Sequence, residues 1–277
     1  AVFAGDDGGV RQQSPGFRDH SGSGGEQRGP GGVRGLADQD VTGPQAPVLA
    51  LDLSSLSVVT FPGAGGSITV EATEEQARIL AVEADGQRVT VSQTATTGRD
   101  RLAGLLPWTD WFGRVRVTVP QGACLEGRLS AGGINAMQPW ESVRLTTMAG
   151  SIKVGPCQNA DLRAEAGSIR VASVNDGRFT TQAGSVVLSM TTGDVMASTE
   201  AGSVKVERAT SGHLDLRSSL GSIKVGVPAS TAVHLDCSSR LGSVTTDLSP
   251  CAQPPQERQQ LFLNARTEFG TVRIRRA

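Results

Sequence analysis

From Val48 onward, apolar and polar residues alternate in short runs, the spacing of strands that bury one face. VLALDLSSLSVVTF (48–61), GSITVEA (66–72), ILAVEADGQRVTVSQ (79–93) and GRVRVTV (113–119) follow one another, with turn residues such as Asp85-Gly86 between them. They predict an opening sheet that covers one end of what comes next. Near Ala131 the runs become a repeat: AGGINAM (131–137), AGSIKV (149–154), AGSIRV (166–171), AGSVVL (183–188), AGSVKV (201–206), LGSIKV (220–225), LGSVTT (241–246) and FGTVRI (269–274). Their glycines at 132, 150, 167, 184, 202, 221, 242 and 270 are separated by steps of 18, 17, 17, 18, 19, 21 and 28. A near-constant period of this size is the signature of a repeat architecture.

A second, weaker strand lies between these phrases: ADLRAEA (160–166), GRFTTQA (177–183), GDVMAST (193–199), GHLDLRSS (212–219), TAVHLDCSS (231–239) and LFLNART (261–267). Alternation assigns the faces. In GSIKV, Ile152 and Val154 point inward while Ser151 and Lys153 point outward. The inward column then reads Ile152, Ile169, Val186, Val204, Ile223, Val244 and Val272, beside Val154, Val171, Leu188, Val206, Val225, Thr246 and Ile274. Stacking these aliphatics buries a core that no single repeat could make alone. Thr246 is the one polar residue in the set. Two architectures fit: a parallel solenoid, or an antiparallel meander turning at NDG (175–177), TTG (191–193) and TSG (210–212). Periodicity alone leaves both open.

Residues 1–47 differ. They hold 12 of the 35 glycines and show no apolar period, so they are expected to form a disordered arm. Residues 48–277 then form one repeat domain, with opening strands over 48–120 and regular coils over 121–277.

The A-G-S-[IV]-x-V phrase, VPASTAVHLD (227–236) and FGTVRIRR (269–276) resemble the DUF4097 family of β-strand-repeat, adhesin-like proteins. The resemblance covers roughly 113–277 and extends more loosely from 48. It implies an all-β fold, a parallel β-solenoid that is right-handed and β-helix-like. Its coils would be short, ~17–21 residues, behind an N-terminal β cap. It also implies an extracytoplasmic, envelope-linked setting for bacterial members, an organellar one for eukaryotic relatives, and no catalytic residues to carry over. The long last steps and the Gly-rich arm depart from the most regular members.

Composition narrows the function classes. A net charge of -1 argues against a dedicated nucleic-acid binder, which carries a large positive excess. No run reaches the ~18 apolar residues of a membrane-spanning helix. The chain starts at Ala1 without a signal pattern, which reads as a processed product or a fragment. Cys124, Cys157, Cys237 and Cys251 contain no CxxC; a Cys237–Cys251 pair would suit an oxidising compartment, and free thiols fit equally.

Three clusters invite chemistry. The outward positions Lys153, Arg170, Val187, Lys205, Lys224, Thr245 and Arg273 form a broken basic stripe if the coils stack. Lys153, Arg170, Lys205, Lys224 and Arg273 are therefore candidate contacts to an anionic glycan, a surface polymer or a protein. HLD recurs at 213–215 and 234–236, so His213, Asp215, His234 and Asp236 on neighbouring coils would offer metal ligands. LLPWTDWFG (105–113) and Trp140 read as covers over the coil end. No G-x-S-x-G, H-E-x-x-H or phosphate loop occurs, no cofactor is implied, and the stacked Ser151, Ser168, Ser185, Ser203, Ser222 and Ser243 have no paired base. The expectation is a non-catalytic, adhesin-like binding or scaffolding surface, extracytoplasmic or at the cell surface. A carbohydrate-active β-helix enzyme and a purely structural envelope or organelle component are the rivals.

Overall fold

The computed structural model describes residues 2–4, 9–12, 46–94, 114–248 and 259–277. Before the repeats come β1 (Val2–Ala4), β2 (Gly9–Gln12), β3 (Val48–Leu53), β4 (Ser57–Gly63), β5 (Thr69–Thr73), the short helix α1 (Glu74–Ala77), β6 (Leu80–Asp85), β7 (Arg88–Gln93) and β8 (Arg114–Pro120). The repeats are β9 (Cys124–Ala131), β10 (Ile134–Ala136), β11 (Trp140–Ala149), β12 (Ile152–Ala166), β13 (Ile169–Ala183), β14 (Val186–Thr191), β15 (Val195–Ala201), β16 (Val204–Ala209), β17 (Gly212–Leu220), β18 (Ile223–Val227), β19 (Thr231–Thr246) and β20 (Gln259–Arg276).

Pairing through the repeats is parallel and one coil apart. Ile152 lies opposite Ile169, and Ile169 opposite Val186. On the second strand Leu162 lies opposite Phe179, and Phe179 opposite Ala197. The ladder is carried by bonds such as Ile152 N–H to Ser168 O at 2.9 Å. The glycine triplets expected as possible hairpin turns are therefore corners of a coil, and the solenoid alternative holds. Each coil contributes one strand after its corner glycine to a first wall and one later strand to a second wall.

The corner has a steric cause. Gly184 has φ 146°, and a Cβ there would sit 1.7 Å from the carbonyl oxygen of Gly167. Only a residue without a side chain lets the backbones of successive corners approach so closely. The inward residues do the rest. Ile152, Val154, Leu162, Ile169, Phe179, Val186 and Leu188 are all buried, and each such side chain contributes ~1.5–3 kcal/mol on leaving water. A further inward column, Trp140, Cys157, Val174, Thr191 and Ala209, fills the bend between the walls. Trp140 is an inner residue of that column, and its indole N–H donates to Ala136 O at 3.0 Å. LLPWTDWFG (105–113) lies outside the described residues.

Stack order departs from chain order at both ends. β3 pairs with β7 on one side and β9 on the other, and β4 likewise lies between β8 and β10. Residues 48–63 thus form an interior coil, not a cap. The cap is made by β6 and β5, which pair antiparallel with β7 and β8. It includes α1, whose Thr73 hydroxyl accepts from Gln76 N–H while the Gln76 side chain accepts from Thr73 N–H. At the other end β20 pairs with β17 and β18 on one side and with β19 on the other. The last strand in sequence is inserted, and β19 is left outermost. Val272 and Ile274 are buried, whereas Val244 is 44% exposed and Thr246 lies in the open. The inward column expected from alternation therefore holds except at Val244 and Thr246.

β1 and β2 pair antiparallel, and β2 continues onto the free edge of β5 through Gly9 opposite Thr73 and Val10 opposite Ala72.

Candidate functional site

The first wall carries the basic stripe in register. Lys153 lies opposite Arg170, Arg170 opposite Val187, and Val187 opposite Lys205. Lys205 then lies opposite Lys224, Lys224 opposite Arg273, and Arg273 opposite Thr245. Insertion of β20 changes the stripe from the order its sequence would give. Arg273 moves next to Lys224, Thr245 moves to the rim, and three cations stand consecutively at a spacing of about 4.8 Å. Val187 separates this run from the Lys153–Arg170 pair.

The run borders a recess of about 190 Å³ lined by Lys205, Val206, Lys224, Val225, Gly226, Arg273 and Arg275. Arg275 adds a fourth cation that is not among the expected stripe residues. Its signal was present, because in FGTVRIRR it is the next outward residue after Arg273. Beside the recess, Lys205 Nζ lies 2.7 Å from Glu207 Oε1. That hydrogen bond, followed by the charge of Lys205, holds the Glu207 carboxyl below its ordinary range. Four cations against one carboxylate leave the recess strongly positive.

The second wall has the opposite character. Glu126, Arg144, Asp161 and Arg178 succeed one another in register with alternating sign. Arg88–Glu126 at 3.0 Å, Arg163–Asp161 at 3.3 Å, Arg217–Asp215 at 2.8 Å and Arg266–Asp236 at 2.9 Å are ion pairs on this wall. A broad groove of about 660 Å³ crosses it, lined by Arg88, Arg128, Arg144 and Arg163 together with Asp52, Glu126 and Asp161. One wall balances its charges and the other does not.

The two HLD segments are not on neighbouring coils. Phe262 of β20 stands between His213 and His234, stacked on each with ring centroids 4.8 Å apart. Asp215 pairs with Arg217 and Asp236 with Arg266. His213 Nδ1 faces Asp194 Oδ1 at 3.0 Å. The juxtaposition that motivated a metal site is thus replaced by a three-ring ladder. No group of three or more His, Cys, Asp or Glu among the described residues is placed to hold a metal ion. Cys124, Cys157 and Cys237 are free thiols, and Cys251 lies outside the described residues. No helix among the described residues is long and apolar enough to cross a membrane.

Parallel coils with one charge-balanced wall and one cationic wall define an all-β repeat protein of the solenoid type. The chain belongs to the Toastrack DUF4097 family, whose model matches residues 48–275. No curated protein matches it. It is similar to a crystal structure of a proposed adhesin from Bacteroides fragilis, at 12% identity and TM-score 0.47, over 82% of this chain and 91% of that one. It is also similar to a proposed cell adhesion protein from Clostridium sporogenes, at 12% identity and TM-score 0.31, over 86% and 96% of the two chains.

Proposed function

We propose that this protein is a non-catalytic, adhesin-like binding module whose first wall holds an anionic polymer, an acidic surface glycan above all. In this reading residues 48–277 act as one right-handed domain, residues 1–47 tether it, and it works outside the cytoplasm or at the cell surface. The observation that carries the reading is the unbroken run Lys205–Lys224–Arg273, with Arg275 beside it, on a protein whose other wall is charge-balanced. Like charges directly opposite in a sheet cost a few tenths of a kcal/mol each. A ladder kept against that cost fits a ligand with regularly spaced anions, which would turn the repulsion into attraction. Lys153 and Arg170 extend the same track beyond Val187.

The test is binding of a sulfated or uronate polysaccharide to the full chain across a salt series, with Lys224→Gln plus Arg273→Gln as the variant. Affinity is expected to fall with salt and to fall several-fold in the double variant. Affinity that ignores both changes would remove the cationic wall from the function. Cleavage of any polysaccharide in the panel would replace the binding module with a carbohydrate-active enzyme. Duplex DNA belongs in the panel, where weaker binding than to the glycan is expected.

A further inference from the structure

The two ends of the solenoid are finished differently. At one end β6, β5 and α1 close the stack with antiparallel strands and a capped helical turn. At the other end β19 pairs with β20 on one side, and among the described residues no strand pairs its second edge. Three apolar side chains of that terminal coil stand in the open: Leu235 is 41% exposed, Leu241 60% and Val244 44%. A long edge strand with apolar neighbours is a template for another strand, and natural sheets normally blunt such edges.

The charges on β19 say which strand. Apart from His234, its only ionisable side chains with a charge at neutral pH are Asp236 and Arg240, placed symmetrically about Ser238. A second copy brought up by a twofold axis through Ser238, with the strands antiparallel, sets Asp236 of each copy opposite Arg240 of the other. The same register sets Leu235 opposite Leu241 and places the His234 imidazole over Gly242, a pairing in which a ring covers a glycine that has no side chain. Shifting the axis to Asp236 opposes two carboxylates, and shifting it to Cys237 opposes His234 and Arg240. A twofold contact is also self-limiting, since each edge consumes the other and no fibre can grow.

We propose that two copies of this chain dimerise through β19, antiparallel about Ser238, so that the open ends of two solenoids close one another. This inference is independent of the anionic ligand, because β19 contributes only Thr245 to the basic stripe. In the dimer the two cationic walls continue end to end and the binding track doubles in length.

Sedimentation or light scattering on the full chain is expected to give about twice the 28.7 kDa chain mass at micromolar concentration, with dissociation on dilution. Asp236→Arg and Arg240→Asp each place like charges opposite one another twice per dimer, so each is expected to raise the dissociation constant about tenfold or more. Mixing the two variants restores opposite charges at both sites and is expected to restore the dimer. Arg266→Gln, which removes the intramolecular partner of Asp236, is expected to leave dimerisation unchanged. Ser238→Cys is expected to yield a covalent dimer on mild oxidation, because the twofold axis brings the residue opposite itself within disulfide reach. This keeps the inference testable if Asp236→Arg misfolds. A wild-type monomer at all concentrations would overturn it, as would a mixture that stays monomeric or a Ser238→Cys chain that does not cross-link.

Discussion

The imidazole of His213 lies flat against the ring of Phe262, with centroids 4.8 Å apart and planes 10° from parallel, although the residues are far apart in sequence. His234 covers the other face of Phe262 with the same geometry. The ladder registers the order in which the last coils are stacked. The carbonyls of the corner glycines repeat it independently. A Cβ on Gly270 would meet Gly221 O, and one on Gly242 would meet Gly270 O.

Engineered cross-links test that order directly. Adjacent parallel strands place paired Cα atoms about 4.8 Å apart, and strands two apart place them at roughly twice that. A disulfide needs a Cα separation of about 4.4–6.8 Å. His213→Cys combined with Phe262→Cys is therefore expected to oxidise to an intramolecular disulfide. His213→Cys with His234→Cys is not expected to do so. Peptide mapping of the oxidised proteins reads the result, and the reverse pattern would put β19 beside β17.

The glycines with positive φ divide into two energetic kinds, those at the stacked coil corners and those in isolated turns. Gly184→Ala must relieve a 1.7 Å approach to a backbone oxygen and a φ of 146°, so a loss of about 3 kcal/mol or more is expected. Gly86, with φ 56° and nothing within 4 Å of a would-be Cβ, carries only the left-handed backbone term. Gly86→Ala is expected to cost about 1–2 kcal/mol. Urea unfolding of the two variants separates them, and equal losses would mean that coil contact is not what fixes the corner residue.

Much of this architecture is legible in the sequence because alternation and period are local quantities. Ile152, Ile169, Val186, Val204 and Ile223 could be placed inward from their own phrases, and so could Lys153, Arg170, Lys205 and Lys224 outward. Stacking order is not local. One parallel coil edge accepts another of similar inward shape, so the pattern alone does not tell whether Val244 or Val272 lies against Ile223. Composition held a clue. After its corner glycine β20 carries Val272 and Ile274, both apolar and buried, whereas β19 carries Thr246 at the position that pairs with Ile274. A coil with water on one side tolerates that threonine better than an interior coil does. The two HLD segments are separated for the same reason: they follow one another in the chain, yet β20 with Phe262 lies between them in the stack.

Lys224 offers a test in which stability and binding should move in opposite directions. It lies between Lys205 and Arg273 with its side chain exposed. Lys224→Gln removes two like-charge neighbours and is expected to stabilise the fold by a few tenths of a kcal/mol. Polyanion affinity should weaken, and the slope of its logarithm against that of salt should shrink by about one. A variant both less stable and equally tight would mean the stripe serves packing.

Asp194 gives the acid limb of the stability profile a local handle. The side chain and then the backbone N–H of His213 hydrogen-bond its carboxylate and lower its pKa from 3.8. A depressed carboxyl contributes stability above its unfolded value, and that contribution is lost as pH falls through the folded one. The site is exposed, so the effect is small. His213→Ala is expected to remove a small part of the stability at pH 7 and almost none at acid pH, where the Asp194 carboxyl is protonated in either protein, so the acid limb of the curve flattens.

Cys157 sets the alkaline limb. It sits inward between Trp140 and Val174, and burial pushes its thiol from 9.0 to about 12. A thiol kept protonated by the fold is a poor nucleophile, since the thiolate is the reactive form. Maleimide or disulfide reagents are therefore expected to leave Cys157 unlabelled in the native protein at pH 8 and to label it once urea opens the coil. The same shift has a thermodynamic face. The unfolded chain releases this proton above pH 9 and the folded chain holds it until about pH 12, so stability should decline across that window. Cys157→Ala removes the titration at the cost of a small cavity beside Trp140, so it should unfold more readily at pH 7 and lose less on passing from pH 8 to pH 11. Rapid native labelling would mean that the coils part at the Trp140–Cys157 bend more often than a continuously packed solenoid allows.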